Sequence, residues 1–317
     1  MKLTYSIIIP VFNRPQEIDE LLESLTKQTF TEDFEVLVIE DGSTLKSDEI
    51  VSKYTDRLNI KYHFKENSGA GASRNLGMEL ATGNYFIIFD SDCIIPPHYL
   101  AEVDDALDEN YTDAFGGADA AHNSFTSVQK AINYSMTSFL TTGGIRGSKS
   151  SVDKFQPRSF NFGLSRLAYR IIGGFSPMKI GEDIDLTFRL WENNFHTQFI
   201  EKAFVYHKRR TSLKQFFRQT YRFGNARPFL NRKYPDTGKI TYWFPILFIL
   251  FFTASIVLLF LGIKLLATLF LIYFVALILD SLFKNKKISV AALSIVTTLI
   301  QFTGYGLGFL KGLFSAD

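Results

Sequence analysis

Apolar and polar positions follow one rule up to about Lys208 and another beyond it. Tyr5 to Phe12 is a nearly unbroken run of β-formers, which predicts a strand buried on both faces. Pro15 then opens a helix at its first turn, where a missing N–H costs nothing, and Ile18, Leu21, Leu22 and Leu25 recur at helical spacing. Phe34 to Ile39 is a second buried strand, Asp48 to Tyr54 a short helix, and Ile60 to Phe64 a third strand. A helix from the Gly69 region to about Ala81 leads to a strand at Tyr85 to Phe89, and Pro96-Pro97 opens a helix reaching about Asn110. Asp113 to Gly117 reads as another strand. Alternation of this kind predicts an α/β fold around a mostly parallel sheet flanked by helices.

Periodicity is lost from Ser135 to Arg158, where Gly143, Gly144, Gly147 and a Ser/Lys cluster predict a mobile binding loop. It returns at Phe160, passes an amphipathic helix that starts at Gly181-Glu182-Asp183, and reaches a last strand at Phe199 to Tyr206. From Ser212 to Tyr234, Leu213, Phe216, Phe217, Thr220 and Gly224 form one face and basic residues the rest, the profile of a helix in a membrane interface. Three apolar stretches follow. Tyr242 to Leu261 and Ile288 to Leu310 are long enough to span a bilayer. Leu265 to Leu279, bounded by Lys264 and Asp280, spans only if its flanks join it. The division expected is a catalytic domain at 1–210, a basic linker at 211–239 and a transmembrane region at 240–317.

Charge sharpens this division. Residues 1–200 hold 28 acidic against 18 basic side chains, residues 201–239 hold 2 against 11, and the near-neutral total of +2 hides the contrast. A basic collar just before apolar spans points to anionic lipid rather than nucleic acid. The single cysteine, Cys93, excludes an intrachain disulfide, and no paired base near it suits a nucleophile. Ile7 to Val11 is too short for the core of a signal peptide.

The chemistry concentrates where strands end. Asp90 and Asp92 follow Tyr85–Phe89 two residues apart, so on an extended backbone both point to one side, off the carboxyl edge of the sheet. Two acids there suit a hard divalent cation and, through it, a nucleotide's phosphates; an Asx-rich turn accounts for the same residues. Gly69-Ala-Gly71 imitates a dinucleotide fingerprint, but Arg74 stands where its third glycine belongs. Arg74 suits phosphates, or a surface ion pair. Glu182, Asp183 and Asp185 exceed what a helix start requires, and His207 closes the last strand, where an ordinary surface histidine would also fit.

Taken in order, Ser6 to Asn13, Glu40-Asp41-Gly42-Ser43, Gly69 to Asn75, Asp90-Ser91-Asp92, Gly173-Gly174-Phe175 and Gly181-Glu182-Asp183 resemble the GT-A-fold glycosyltransferases of family 2 over the first two-thirds of the chain. The resemblance implies a nucleotide-sugar donor, UDP-linked by preference, a divalent Mg2+ or Mn2+, and an inverting hexosyl transfer. It implies that Pro10, Phe12, Asn13 and Asp41 hold the nucleoside, that Arg74 and Asp90 hold ribose or phosphate, and that Asp92 and His207 ligate the metal. Asp183, with Glu182 beside it, would supply the catalytic carboxylate. Gln219, Arg222 and Phe223 resemble a Gln-x-x-Arg-Trp signature of membrane-working members, with Phe for Trp, and would contact the donor; a basic surface helix is the competing account of Arg222. A membrane-associated, lipid-linked or cell-envelope acceptor follows, with the 141–158 loop shaping its choice and Gly304, Gly306 and Gly308 available for helix packing, including a homo-oligomer. A nicotinamide oxidoreductase and a silent nucleotide-binding subunit are the alternative classes. Positive charge near the spans predicts a cytoplasmic catalytic domain on a multi-pass anchor in the cytoplasmic membrane.

Overall fold

The computed structural model describes residues 2–143 and 155–315. Along the chain run β1 (Tyr5–Val11), α1 (Pro15–Leu25), β2 (Phe34–Asp41), α2 (Asp48–Ser52), β3 (Asn59–Lys65), α3 (Ala70–Leu80), β4 (Tyr85–Phe89), β5 (Cys93–Ile94), α4 (Tyr99–Glu109) and β6 (Ala114–Ala120). Two helices, α5 (Ser127–Thr137) and α6 (Phe139–Thr142), precede β7 (Asn161–Ser165), α7 (Arg166–Ile172), α8 (Glu182–Glu192) and β8 (Thr197–His207). Four longer helices end the chain: α9 (Leu213–Lys233), α10 (Phe244–Phe260), α11 (Leu265–Asn285) and α12 (Ile288–Phe314). They form two compact units, Met1–His122 with Gly147–Lys208, and Asn123–Arg146 with Arg209–Asp317.

The first unit is built on one eight-stranded sheet of order β3-β2-β1-β4-β7-β6-β8-β5. β3, β2, β1 and β4 are parallel, and β7 runs antiparallel to both β4 and β6. The continuous apolar runs are explained by burial on both faces: Ile7, Ile9, Val36, Val38, Ile87 and Phe89 meet α1 and α4, while Ile8, Leu37, Ile39, Phe86 and Ile88 meet α3 and α8. Successive residues alternate between these layers, so each strand feeds two cores. β5 is only two residues long, yet its antiparallel pairing sets Cys93 opposite His207 and so carries the end of β8 to the end of β4.

In the second unit the region read as loop is partly helical. Ser135 to Thr137 end α5 and Phe139 to Thr142 form α6, with Ser138 extended between them, while residues 144–154 of the expected loop lie outside the described residues. Its helix α5 is held by partners distant in the chain: Ile132 and Met136 pack with Phe216 of α9, and Thr297 of α12 donates to the Ala131 carbonyl at 3.0 Å. Thr126 and Gln129 cap the helix reciprocally, a start signal that the sequence does carry.

Among the described residues, three helices are long and apolar enough to cross a membrane: Ile240–Phe260, which includes a 3-10 turn, Leu265–Asn285 and Ile288–Phe314. The second continues past Asp280 to reach that length. Asp280 does not break it because the carboxylate accepts from Tyr134 Oη at 2.7 Å, Ser138 Oγ at 3.1 Å and Lys284 Nζ at 2.9 Å. The apolar face of α9 is covered by α12, with Phe216, Thr220 and Gly224 buried. Gly304 and Gly308, expected to serve helix packing, do so within this chain: a Cβ on Gly308 would stand 2.0 Å from the Tyr221 carbonyl oxygen, and one on Gly224 2.1 Å from that of Tyr305. Two helix backbones approach that closely only where both lack side chains.

Candidate active site

The site lies off the carboxyl ends of β1, β2 and β4 and is closed by the end of β8. Its floor is a set of hydrogen bonds between loops. Asn13 adopts φ +52° at the end of β1. Its Oδ1 accepts from the amides of Thr44 and Leu45, both at 2.9 Å, and its own amide donates to Ser43 Oγ at 2.7 Å. Asn13 therefore ties the β1 loop to the β2 loop. Pro10 is buried beneath it and Phe12 is exposed beside it. Asp41 is buried at the end of β2 and accepts from Lys65 Nζ at 2.6 Å and from the amides of Ser68 and Gly69, each at 2.9 Å. Burial raises its pKa, but Lys65 and the Ser68 amide outweigh that and hold the carboxyl below its usual range. Asp41 thus ties the turn before α3 to the end of β2.

A chain of alternating charge crosses the site. Arg74 is 3% exposed and donates from Nη2 to Asp90 at 2.7 Å and from Nη1 to Glu182 at 3.0 Å, with its guanidinium 5.1 Å from the centroid of the Phe175 ring. Its Nε is buried and makes no hydrogen bond. The bulk that breaks a glycine fingerprint is thus what joins β4 to the start of α8. Burial, then the neighbouring Asp183, push the Glu182 carboxyl up, against the pull of Arg74. Asp183 accepts at Oδ1 from the Ile184 amide at 2.8 Å and lies with Oδ2 3.4 Å from the Ser159 amide. Asp185, the third acid, points elsewhere: it is fully buried and pairs with Arg189 at 3.0 Å, which anchors α8 to the carbonyls of Ile172 and Gly174.

Asp90, Asp92 and His207 form the one candidate metal cluster among the described residues, each offering a ligand atom within 4.8 Å of the others. Asp92 Oδ1 is buried, accepts no hydrogen bond and stands 3.2 Å from His207 Nε2. Two ligands of an octahedral cation at ~2.1 Å lie about 3 Å apart, so this spacing fits a small divalent ion. The Phe160 ring stacks on the imidazole at 4.5 Å and fixes its plane. Burial opposes ionisation of Asp92, but His207 and Arg14 hold its carboxyl far below the ordinary range. Arg14 pairs directly with Asp92 Oδ2, a partner the sequence reading missed although it sits beside Asn13 in the first motif. Cys93 packs beneath, buried, its thiol pushed up by burial first and then by the nearby acids.

Gln219, Arg222 and Phe223 belong to α9 in the second unit. Arg222 is exposed, and Gln219 Oε1 is buried without a hydrogen-bond partner. Phe223 packs on the Ile132–Met136–Phe216 cluster, which accounts for an aromatic residue at that position by packing alone.

Acids and an arginine gather at the carboxyl edge of the parallel strands of a mixed sheet, the edge at which open α/β sheets bind ligands. Residues 6–177 match the model of glycosyl transferase family 2, and the chain belongs to that family. Among curated proteins, it is 38% identical over 114 residues to the poly(ribitol-phosphate) beta-N-acetylglucosaminyltransferase TarS of Staphylococcus aureus, covering 35% of this chain and 20% of TarS. It is 40% identical over 101 residues to the validoxylamine A glucosyltransferase of Streptomyces hygroscopicus, covering 31% of this chain and 24% of that one. The chain thus spans about a fifth to a quarter of these relatives. Among solved structures, S. aureus TarS 1–349 in complex with UDP-GlcNAc aligns over 70% of this chain and 66% of its own, with 25% identity and a TM-score of 0.51. A mannosyltransferase from Pyrobaculum calidifontis in complex with GDP-Man and Mn2+ covers 99% of this chain and 88% of its own, with a TM-score of 0.62 and 17% identity, a likeness of fold.

Proposed function

We propose that this glycosyltransferase is a membrane-anchored, metal-dependent inverting hexosyltransferase that uses a UDP-sugar and a lipid-linked or cell-envelope acceptor. The observation that carries the reading is the Asp90–Asp92–His207 cluster, joined through Arg74 to Glu182 at the start of α8. A divalent ion held by Asp92 and His207 supplies neutralisation of the charge that develops on a departing diphosphate. Asp90 and Arg74 orient the ribose and phosphates. Pro10, Phe12 and Asn13 line the nucleoside pocket, and Asp41 shapes it by holding the 65–69 loop. Glu182 is engaged by Arg74 and acts as its positioner.

Asp183 remains as the base that takes the acceptor hydroxyl's proton during attack. One base and no covalent intermediate give inversion. UDP-GlcNAc in a TarS complex supports a UDP-linked donor, and Mn2+ in the Pyrobaculum complex supports a divalent ion. Three helices of spanning length support the anchor. The test is hydrolysis of a panel of nucleotide sugars by the purified full chain with Mn2+, Mg2+ or chelator. Metal-dependent release of UDP from one donor is expected; chelator-insensitive turnover defeats the metal, and preference for a GDP-sugar defeats the donor.

A further inference from the structure

Arg14 is the residue of this site that neither the sequence motifs nor the chemistry above accounts for. Its guanidinium pairs through Nη1 with Oδ2 of Asp92, while the carboxylate's other oxygen faces His207. The Asp92 side chain is 10% exposed and that of Arg14 32%, so the cation reaches the acid from the solvent side. A buried carboxylate needs a counter-charge, and Arg14, together with His207 on the other oxygen, supplies it. It is tethered at residue 14 between the end of β1 and the first turn of α1, where its carbonyl accepts from the Ile18 amide. The backbone there is held whatever side chain it carries.

A second cation cannot take Asp92 fully while the guanidinium holds Oδ2. Like charges at such a distance repel strongly, and the partly buried guanidinium would be left short of an anion. The other acids it feels are Glu17 and Asp90, and Asp90 is already engaged by Arg74 at 2.7 Å. A nucleoside diphosphate brings a multiply charged anion whose phosphate oxygens guanidinium groups bind well. We propose that Arg14 is a built-in counter-cation that competes with the metal for Asp92 and is drawn off by the donor's diphosphate, so that metal and donor bind cooperatively. The inference rests on the metal site read above. It adds the residue that couples the two ligands.

The experiment measures Mn2+ affinity from the free-ion resonance signal, with and without UDP, on the full chain in detergent, so no turnover is needed. Wild type should bind Mn2+ weakly alone and more tightly with UDP. Arg14→Gln should bind Mn2+ alone at least about fivefold more tightly and lose at least about fivefold of the UDP enhancement, the low end of coupling between two ligands. Arg14→Lys should restore the wild-type pattern, which a packing role would not require. Unchanged or weaker Mn2+ binding by Arg14→Gln overturns the proposal. So does tighter binding with undiminished coupling to UDP. Asp92→Asn and His207→Ala separate the two levels: if neither alters Mn2+ binding in an otherwise wild-type chain, the metal site itself is wrong. If both do and Arg14→Gln does not, only the role of Arg14 fails.

Discussion

Two carboxylates illustrate how neighbours decide what a residue does. Glu35 is buried in β2 and accepts from Ser6 Oγ at 2.6 Å, the Gly83 amide at 3.2 Å and Lys61 Nζ at 3.1 Å, with the Thr82 amide also bound. Burial raises its pKa, but these donors together lower it to about 2. A carboxyl depressed when folded stabilises the protein above its unfolded pKa and loses that contribution as pH falls. The stability Glu35 confers should therefore be complete above about pH 5 and drain away toward pH 2, with an upper bound near ~3 kcal/mol. Thermal melts of the full chain between about pH 7 and 3 should show a smaller acid-side decline in Glu35→Gln than in wild type. Equal declines would show that Glu35 is not so shifted. Asp183 differs in its cation partner: its ion pair with Arg158 is long, Nη1 to Oδ2 at 3.9 Å, against 3.0 Å between Arg74 and Glu182. Asp183→Asn should retain UDP and Mn2+ binding but lose at least ~100-fold in transfer. Near-normal transfer would move the base to Glu182, since Asp185 is committed to Arg189.

Among the elements, α9 and α12 make a contact that depends on missing side chains. Gly308 and Gly306 are two residues apart on α12, yet their surroundings differ. A methyl group on Gly308 meets carbonyl and backbone atoms of α9 at 2.0 to 3.0 Å, none of which is the end of a flexible side chain. On Gly306 it would meet Ile246 and Pro245 at 3.4 to 3.5 Å, an ordinary contact. Gly308→Ala should thus push the helices apart, at the ~1–3 kcal/mol typical of overpacking or above, whereas Gly306→Ala should be nearly neutral. Melting temperatures in detergent read the difference. Helix propensity alone favours Ala over Gly at both positions, so similar losses for both would mean that the close approach at Gly308 is not what decides the effect. This use of Gly308 occupies the face that a dimer built on the same small residues would need.

For the whole molecule, the matter to test is which side of a bilayer each segment faces. The second span contains 21 residues, about 31 Å at ~1.5 Å per residue, enough for a ~30 Å hydrocarbon core. With the basic collar of 201–239 on the cytoplasmic side, α10 leaves, α11 returns and α12 leaves again, which puts Lys284, Lys286 and Lys287 inside. Lys264 then lies at the outer face, where its stem reaches water by snorkelling. A reporter fused after Lys287 should read as cytoplasmic and one fused after Asp317 as external. Cytoplasmic signals from both would make Ile288–Phe314 re-entrant or interfacial.

The order of strands and helices from β1 to β4, the two-sided burial of β1, β2 and β4, and the gathering of acids at the carboxyl edge were determined by the sequence alone. Each rests on local rules: a period of two or ~3.6, a proline at a first turn, an abrupt polar end to an apolar run. The antiparallel position of β7 between β4 and β6, the pairing of β5 that delivers His207, and the helical state of Ser135 to Thr137 and of Phe139 to Thr142 were decided by tertiary structure. They depend on partners distant in the chain, which no window of sequence contains. The same division runs through the site. Asp90, Asp92 and His207 announce their chemistry by type and position, but only folding could show Arg74 shared between Asp90 and Glu182, Asp41 spent on a loop, and Arg14 resting on Asp92. Charge partners are chosen by distance in space, and that is settled only when the sheet closes and sets residue 14 beside residue 92.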